Sequence, residues 1–516
     1  MNRYFIFAVL LNAVAAWQQA VAAPTDSPLP PAVAVDTPFP QQYHSRYVLP
    51  GEQAANDVRA VTIDHKGNVW VASRAGVFRL GKERQSWTSQ LPPAAAGPAF
   101  ALAVEENGTV WAGVWDGLYY SGHEGLVKIA SVSAPISTVC IDHGDLVALG
   151  PQGFWRVRNG LATKEPIACC QATRAALPDG EGGLWVATQM GLYHHTANLA
   201  TNGYYQNDQL ISADVRAIAY AKDAQLWVGS LGGISVLHRA GRVRQFTAAE
   251  GLANVDLRCI RRGPDGRMWV GSHLGISVYD GSSWSLRHSR RWLVGDQVRD
   301  IAFDQEGTAW IATNTGVSAI GRKSLTLAEK AAHYDHICQT RHVRPPGLVE
   351  KCRLATPGDT STWKPFDDDN DGQYTSMYLA MESFRYAATK DPRAKANARR
   401  AFDALRFLQT VTETAGFVAR TVVPCNWKLR HDPNRHFSDP QWASRLVEDP
   451  RAKRVEVRWH RSADGKWLWK GDTSSDEITG HYYGYLYYYD LVADETERKR
   501  VRHHVRKVTD SIINNG

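Results

Sequence analysis

The sequence predicts a multidomain β + α protein: a seven-bladed β-propeller followed by a partial α/α-toroid helical domain. Three observations predict it. A unit running from a Trp to a Gly recurs at spacings of 36 to 42 residues between positions 57 and 318. An orphan strand stands before the first unit. After about residue 323 the repeat gives way to helical periodicity.

Composition agrees with this and excludes other classes. The 516 residues carry 59 Lys and Arg against 52 Asp and Glu, a net charge of +7, with 44% hydrophobic and 22% charged residues. That is an ordinary folded chain, not a disordered one. No block of basic residues marks a nucleic-acid groove, so no nucleic-acid partner is expected. The 18 Trp outnumber the 14 Phe, a skew expected where a repeat uses one Trp per unit.

In chain order, residues 1–22 read as a signal peptide. Arg3 supplies the charged start, Tyr4 to Ala16 is apolar apart from Asn12, and Ala20-Val21-Ala22 fits the small-x-small cleavage rule. The apolar run is shorter than the roughly 20 residues that span a bilayer. No cysteine follows it to accept a lipid, so no membrane anchor is expected after cleavage. The mature protein is expected to be periplasmic or secreted. Residues 23–44, with six prolines between Pro24 and Gln42, read as a linker. The seven cysteines are Cys140, Cys169, Cys170, Cys259, Cys338, Cys352 and Cys425, an odd number for an oxidising compartment. Cys338 and Cys352 are near enough in sequence to close a loop.

The propeller is expected over residues 45–322. Its units align on Trp70, Trp111, Trp185, Trp227, Trp269 and Trp310, each followed six positions later by Gly76, Gly117, Gly191, Gly233, Gly275 or Gly316. A seventh, degenerate copy has Val147 and Gly153. Each unit reads strand, tight turn, Trp strand, Gly turn, strand, then a looser fourth strand. Four strands in about 40 residues make a propeller blade. The Trp is expected to wedge between neighbouring blades and the Gly to supply a positive φ. The last unit lacks a fourth strand after Ile320. Ser45 to Leu49 is expected to supply it and so close the ring.

Eleven positions before the Trp, five of the seven units carry Arg: Arg59, Arg174, Arg216, Arg258 and Arg299. This position opens the first strand, which lines the central channel. Either the five form an electropositive, anion-binding mouth, or each pairs with a carboxylate as scaffold.

Residues 323–365 read as a connector and 366–516 as an α/α-toroid-like helical domain, incomplete at its C-terminus. Helices are expected over Leu325–Tyr334, Thr375–Ala388, Arg393–Leu408, Ser475–Val492 and Glu495–Ile513, with Met377, Leu379, Ala380, Met381 and Phe384 of the second facing a core. Two segments carry candidate chemistry. In Phe366 to Thr375, Asp367, Asp369 and Asp371 precede Gly372 as in a calcium loop, but position twelve is Tyr378 rather than Glu. A calcium ion on those three aspartates is the one cofactor this segment suggests. Helix capping and substrate binding are the other readings. In Trp467 to Tyr485, Ser474 and Glu477 form a capping box, and Glu477 and His481 share a helix face. Gly480 and Gly484 would let that helix approach a neighbour closely.

The chain resembles a group of secreted bacterial proteins in which two-component-regulator-type propeller repeats, here residues 45–321, are fused to α/α-toroid domains. The shared stretches are Asp369-Asn370-Asp371-Gly372, Glu382 to Thr389 and Gly471 to His481. The helical part is similar in fold to toroids of glycoside hydrolases and polysaccharide lyases. The resemblance implies a secreted or periplasmic carbohydrate-active protein, a hydrolase or lyase, with a propeller ligand-binding domain. The alternative is a non-catalytic periplasmic binding or sensing protein. The expected partner is a polysaccharide or oligosaccharide, an anionic one included. Catalytic candidates are Asp371, Asp476, Glu477 and His481. Hydrolysis would set Asp371 across from Asp476 or Glu477, one of them a proton donor. A lyase would neutralise a uronate with Arg420 and use His481 as base. Trp467, Trp469, Asp472 and Tyr485, with Arg420, are the substrate-binding candidates.

Overall fold

The computed structural model describes residues 36–515 apart from 166–172, 199, 206–208, 239–240 and 429. The expected signal peptide, most of the expected linker, Cys169 and Cys170 lie outside the described residues. Pro40–Ser324 form one compact unit; the described residues from Leu325 on, with those before Pro40, form another.

Among the described residues the first unit contains seven four-stranded sheets. The first strands of successive sheets lie against one another in a closed cycle, which is the arrangement of a β-propeller. The Trp strand is second in its sheet and pairs antiparallel on both sides, as in Thr62↔Trp70 and Trp70↔Arg79. The degenerate unit keeps this register through Cys140↔Val147 and Val147↔Arg156. The seven repeat glycines follow that strand with φ between +98° and +156°. At Gly233 a Cβ would also lie 2.4 Å from the Phe246 carbonyl oxygen, so both space and φ demand glycine there.

The tryptophans wedge between sheets as expected. Trp70 packs with Ala99, Val110 and Ala112 of the next sheet, and Trp227 with Leu257, Ile260 and Tyr279. Trp310 of the last sheet packs with Val58, Val61 and Val71 of the first. Three of the indoles also donate to the acid six positions earlier: Trp70 to Asp64, Trp111 to Glu105 and Trp310 to Asp304, each at 2.9 Å. One acid thus ties its own turn to the buried ring.

The ring closes on an N-terminal strand, but an earlier one than expected. Phe39–Tyr47, part of which falls in the expected linker, is the outermost strand of the last sheet, beside Gly316–Leu325. Leu49, the end of the expected strand, is instead a buried plug. The Asn56 side chain donates to its carbonyl at 3.0 Å and accepts from its N–H at 2.8 Å.

In the second unit a helix spans Leu327–Ile337, and four longer helices follow: α1 (Asp371–Thr389), α2 (Pro392–Thr410), α3 (Ser475–Leu491) and α4 (Glu495–Asn515). Leu379, Ala401, Phe402, Leu405, Leu408, Tyr485, Tyr488 and Val501 form their common core. Between α2 and α3 the strands Thr421–Pro424, Trp467–Lys470 and Trp459–Arg461 make a small antiparallel sheet. The buried face of α1 differs from the expected one. Met377 and Phe384 are exposed, while Thr375, Ser376, Glu382 and Ser383 are buried with Leu379 and Ala380. Small and polar side chains win that face because α3 approaches closely along it. A Cβ on Gly480 would meet Gln373, and one on Gly484 would lie 2.8 Å from the Ser376 carbonyl oxygen. Cys338 and Cys352 are both free thiols.

Candidate functional site

The arginine positions converge. Arg174, Arg216, Arg258 and Arg299, with His273, line one cavity of about 410 Å³ at one end of the first strands. That volume lies within the usual range for small-ligand sites. Arg59 is not among its lining residues. It stacks on Phe100, with 4.9 Å from guanidinium to ring centroid. Burial first, and then the neighbouring charges of Arg299 and Arg74, lower its pKa against the opposing pull of Asp57.

Most of the arginines also have acid partners. Arg174 reaches Asp214 at 3.3 Å, Arg258 reaches Asp256 at 3.3 Å, and Arg299 reaches Asp57 at 2.7 Å. Arg216 forks onto Asp214 through Nε and Nη2, at 3.1 and 2.7 Å, and also contacts Asp256. Only Arg216 is bidentate to one carboxylate. The four lining guanidiniums against Asp57, Asp214 and Asp256 leave one positive charge uncompensated. Burial raises the Asp214 pKa, but hydrogen bonding from Arg216 and the charges around it bring it below the ordinary carboxylate value. The sequence reading missed these aspartates, although Asp-x-Arg recurs at 57–59, 214–216 and 256–258. The same end carries the exposed side chains of Trp115, Met190, Leu231 and Leu274, each on the turn between the second and third strands of its sheet.

In the helical unit α1 and α3 start side by side. A Cβ on Gly372 would lie 2.1 Å from His481 Nε2 and 2.4 Å from Glu477 Oε1. Glu477 accepts from the Gln373 N–H at 2.8 Å, so its carboxylate answers the neighbouring helix and the expected capping box with Ser474 does not form. Arg420 joins the two loops, donating to the carbonyls of Asp369 at 3.0 Å and Asp472 at 3.2 Å. Asp369, Asp371, Arg420, Asp472, Glu477 and His481 therefore meet at these two N-termini.

Their environments separate them. Asp371 is fully buried, ion-paired with Arg344 and hydrogen-bonded by the Thr421 hydroxyl. The buried Glu350 sits against it. Burial first, then the hydrogen bond to Asp371 and its charge, push the Glu350 carboxyl up to about 10. Its Oε2 is buried and accepts no hydrogen bond from the described residues. Asp369 pairs with the buried Lys470; burial raises its pKa, and Lys470, Arg420 and His431 bring it net below the ordinary value. Asp367 accepts from Trp427 Nε1 at 2.9 Å and from the His431 N–H at 2.7 Å, and burial raises it. These three acids face different partners, and no group of three His, Cys, Asp or Glu among the described residues is arranged to hold a metal. The expected calcium does not fit them.

Three further expectations need correction. Asp476 is exposed, and its hydrogen bond from Ser474 holds it below the ordinary carboxylate value, which does not suit a proton donor. Trp467 and Trp469 point to the strand face opposite Lys470, where Phe407 and Phe417 meet them at 5.4 and 6.2 Å between ring centroids. They wall the helical core, not the acid cluster. Tyr485 is buried inside a chain from His481 Nδ1 (3.0 Å) to its hydroxyl and on to His504 Nε2 (2.8 Å), with burial holding the His504 pKa at about 3. Asp472 is ion-paired to Arg458 at 2.9 Å. Arg344, Glu350, Lys470 and Arg458 were missed because they lie outside any recurring motif.

The Glu350–Asp371 pair has a pH signature. Between the usual glutamate value and about 10 the native state keeps a proton that the unfolded chain releases. The stability this proton contributes is complete below the unfolded value and is lost as pH rises, by up to about 1.4 kcal/mol per pH unit. Glu350→Gln keeps a donor toward Asp371 without the ionisation. It is expected to match the parent protein at pH 5 and to unfold at a higher temperature than the parent at pH 8.5. A variant less stable than the parent at pH 8.5 would contradict the shared proton.

The fold and the mouth define a β-propeller protein with an arginine-lined channel end and an appended helical unit. No protein-family model matches the chain, and no curated protein is similar to it. Among solved structures it is similar to the extracellular domain of a hybrid two-component system from B. thetaiotaomicron, at 15% identity and a TM-score of 0.47, over 55% of this chain and 40% of that one. The chain thus spans well under half the length of that domain. It is also similar to virginiamycin B lyase from Staphylococcus aureus (13% identity, TM-score 0.45, 55% of this chain and 99% of that one). The WD40 propeller domain of Doa1 gives 15%, 0.44, 54% and 97%. Among the described residues no helix is long and apolar enough to cross a membrane.

Proposed function

We propose that this is a periplasmic or secreted binding protein whose propeller, read as seven-bladed, captures an anionic saccharide at the arginine-lined mouth. The observation that carries the reading is the cavity lined by Arg174, Arg216, Arg258 and Arg299 with more guanidiniums than carboxylates. Guanidinium forks suit a carboxylate, and the exposed Trp115, Leu231 and Leu274 nearby suit the C–H face of a sugar ring. The ligand class is therefore a uronate-bearing oligosaccharide. The helical unit is read as part of an α/α toroid, with the parallel α1 and α3 as inner helices.

Calorimetric titration of the full chain with a digalacturonate and with its neutral methyl ester tests this. Arg258 has one acid contact and is partly exposed, so Arg258→Ala spares the scaffold. We expect it to weaken the uronate at least tenfold and to leave the ester's weak binding unchanged. Equal affinity for acid and ester, or an unaffected variant, overturns the reading.

The carbohydrate-cleaving reading keeps one supporting observation. Glu350 stands against Asp371, burial and that neighbour push the Glu350 carboxyl up, and glycoside cleavage uses a pair of carboxyl groups. Both are buried, so a glycan must open the helical unit to reach them. New reducing ends released from a uronate polymer, and lost in Asp371→Asn, would favour it.

A further inference from the structure

A second basic cavity lies elsewhere on the propeller. It measures about 620 Å³ and runs between two outermost strands of consecutive sheets, Trp284–Arg287 and Phe39–Tyr47. Arg267, Arg287, Arg291 and Arg322 line it together with Trp292.

The charges there are poorly answered. Asp265 takes Arg322 and, at 3.5 Å, Arg267. Among the described residues no ion pair reaches Arg287 or Arg291, so four guanidiniums face one carboxylate. Arg287 is held in place by neutral groups: its Nε and Nη2 donate to Gln42 Oε1 at 3.0 and 2.8 Å, and its Nη1 to the Leu286 carbonyl at 3.0 Å. Its guanidinium and that of Arg291 lie 5.0 and 5.5 Å from the Trp292 ring centroid. Burial, and then the charges of Arg267, Arg291 and Arg322, lower its pKa. Like charges crowded in this way oppose folding unless an anion answers them. Three further guanidiniums, the remaining N–H groups of a fixed Arg287 and a net surplus of charge suit several oxyanions on one ligand. Pro40, Leu286 and Trp292 add apolar surface that a bare polyphosphate would leave uncovered.

We infer that this groove is a second, separate binding site, and that it takes a sulfated oligosaccharide. The sulfates meet Arg267, Arg287, Arg291 and Arg322, while the sugar rings cover Leu286 and Trp292.

The test titrates the full chain with a sulfated tetrasaccharide, its desulfated form and inorganic tripolyphosphate, at two salt concentrations. The sulfated chain is expected to bind at least a hundredfold more tightly than the desulfated one, and more tightly than tripolyphosphate. Arg291→Ala, at an exposed position, should weaken it about tenfold and lower the salt slope by about one counterion. Lys66→Ala, an exposed cation elsewhere on the propeller, controls for net charge and should change affinity less than twofold. Equal losses from Lys66→Ala and Arg291→Ala would mean only diffuse attraction and overturn the site. Tripolyphosphate binding as tightly as the saccharide would overturn the ligand class. Loss on Arg258→Ala but not on Arg291→Ala would place the saccharide in the channel mouth and overturn the inference while sparing the mouth reading.

Discussion

Arg344→Ala is expected to destabilise the helical unit by about 3–5 kcal/mol, the usual penalty for leaving one member of a buried ion pair alone. Arg344 reaches the Val422 carbonyl at 2.8 Å, the Thr421 hydroxyl at 2.7 Å and the Asp371 carboxylate, all inside the protein. Without it Asp371 stays buried, with only neutral donors, Thr421, the Asp368 N–H and the Glu350 carboxyl, to answer its charge. Lysine cannot reproduce a fork that serves three acceptors, so Arg344→Lys should recover little. Removing both charges, as in Arg344→Leu with Asp371→Asn, should cost less than Arg344→Ala alone. Urea unfolding followed by far-ultraviolet circular dichroism reads the helical transition. A loss below about 1 kcal/mol for Arg344→Ala would mean that the pair is not buried as described.

Deleting residues 36–50 is expected to lower the propeller's stability by about 2–5 kcal/mol, the range for losing a large buried side chain together with its packing. The deletion strips the outermost strand from the last sheet and leaves Gly316–Leu325 with an open edge. It also removes the buried Leu49 and the Tyr47 ring, which lies 5.0 Å from that of Trp310. Asn56, buried for the sake of Leu49, loses both hydrogen bonds. Differential scanning calorimetry should show a lowered propeller transition, and light scattering should show association through the bared edge. An unchanged transition would argue that the ring does not depend on this strand.

The propeller was legible because a repeat states the same physical demand seven times. A Trp that must be buried, in six units, and a Gly that must take positive φ, in all seven, recur at a fixed offset, so one unit interprets the next. Even Val147 could be placed by its neighbours. The arginines were legible for the same reason. Whether they are free or paired was only partly so: Asp-x-Arg is visible in the sequence, but Arg174, Arg216 and Arg299 also reach aspartates of the adjacent sheet. The meeting of α1 and α3 could be read from Gly480 and Gly484. The face of α1 they press against could not, because hydrophobic periodicity favoured Met377 and Phe384 over the small residues that close packing requires. Trp467 and Trp469 misled because they stand next to a charged helix start; strand alternation sends them the other way from Lys470. Arg344 and Glu350 carry no local pattern, and only the fold brings them to Asp371.

The channel mouth is proposed to hold an anionic saccharide. A crystal structure of the full chain with the digalacturonate tests it most directly. A ligand carboxylate is expected at charge-assisted hydrogen-bond distance, about 2.7–2.9 Å, from the guanidiniums of Arg216, Arg258 or Arg299. A ligand ordered anywhere else on the chain, or a mouth holding only solvent at saturating ligand, would contradict it.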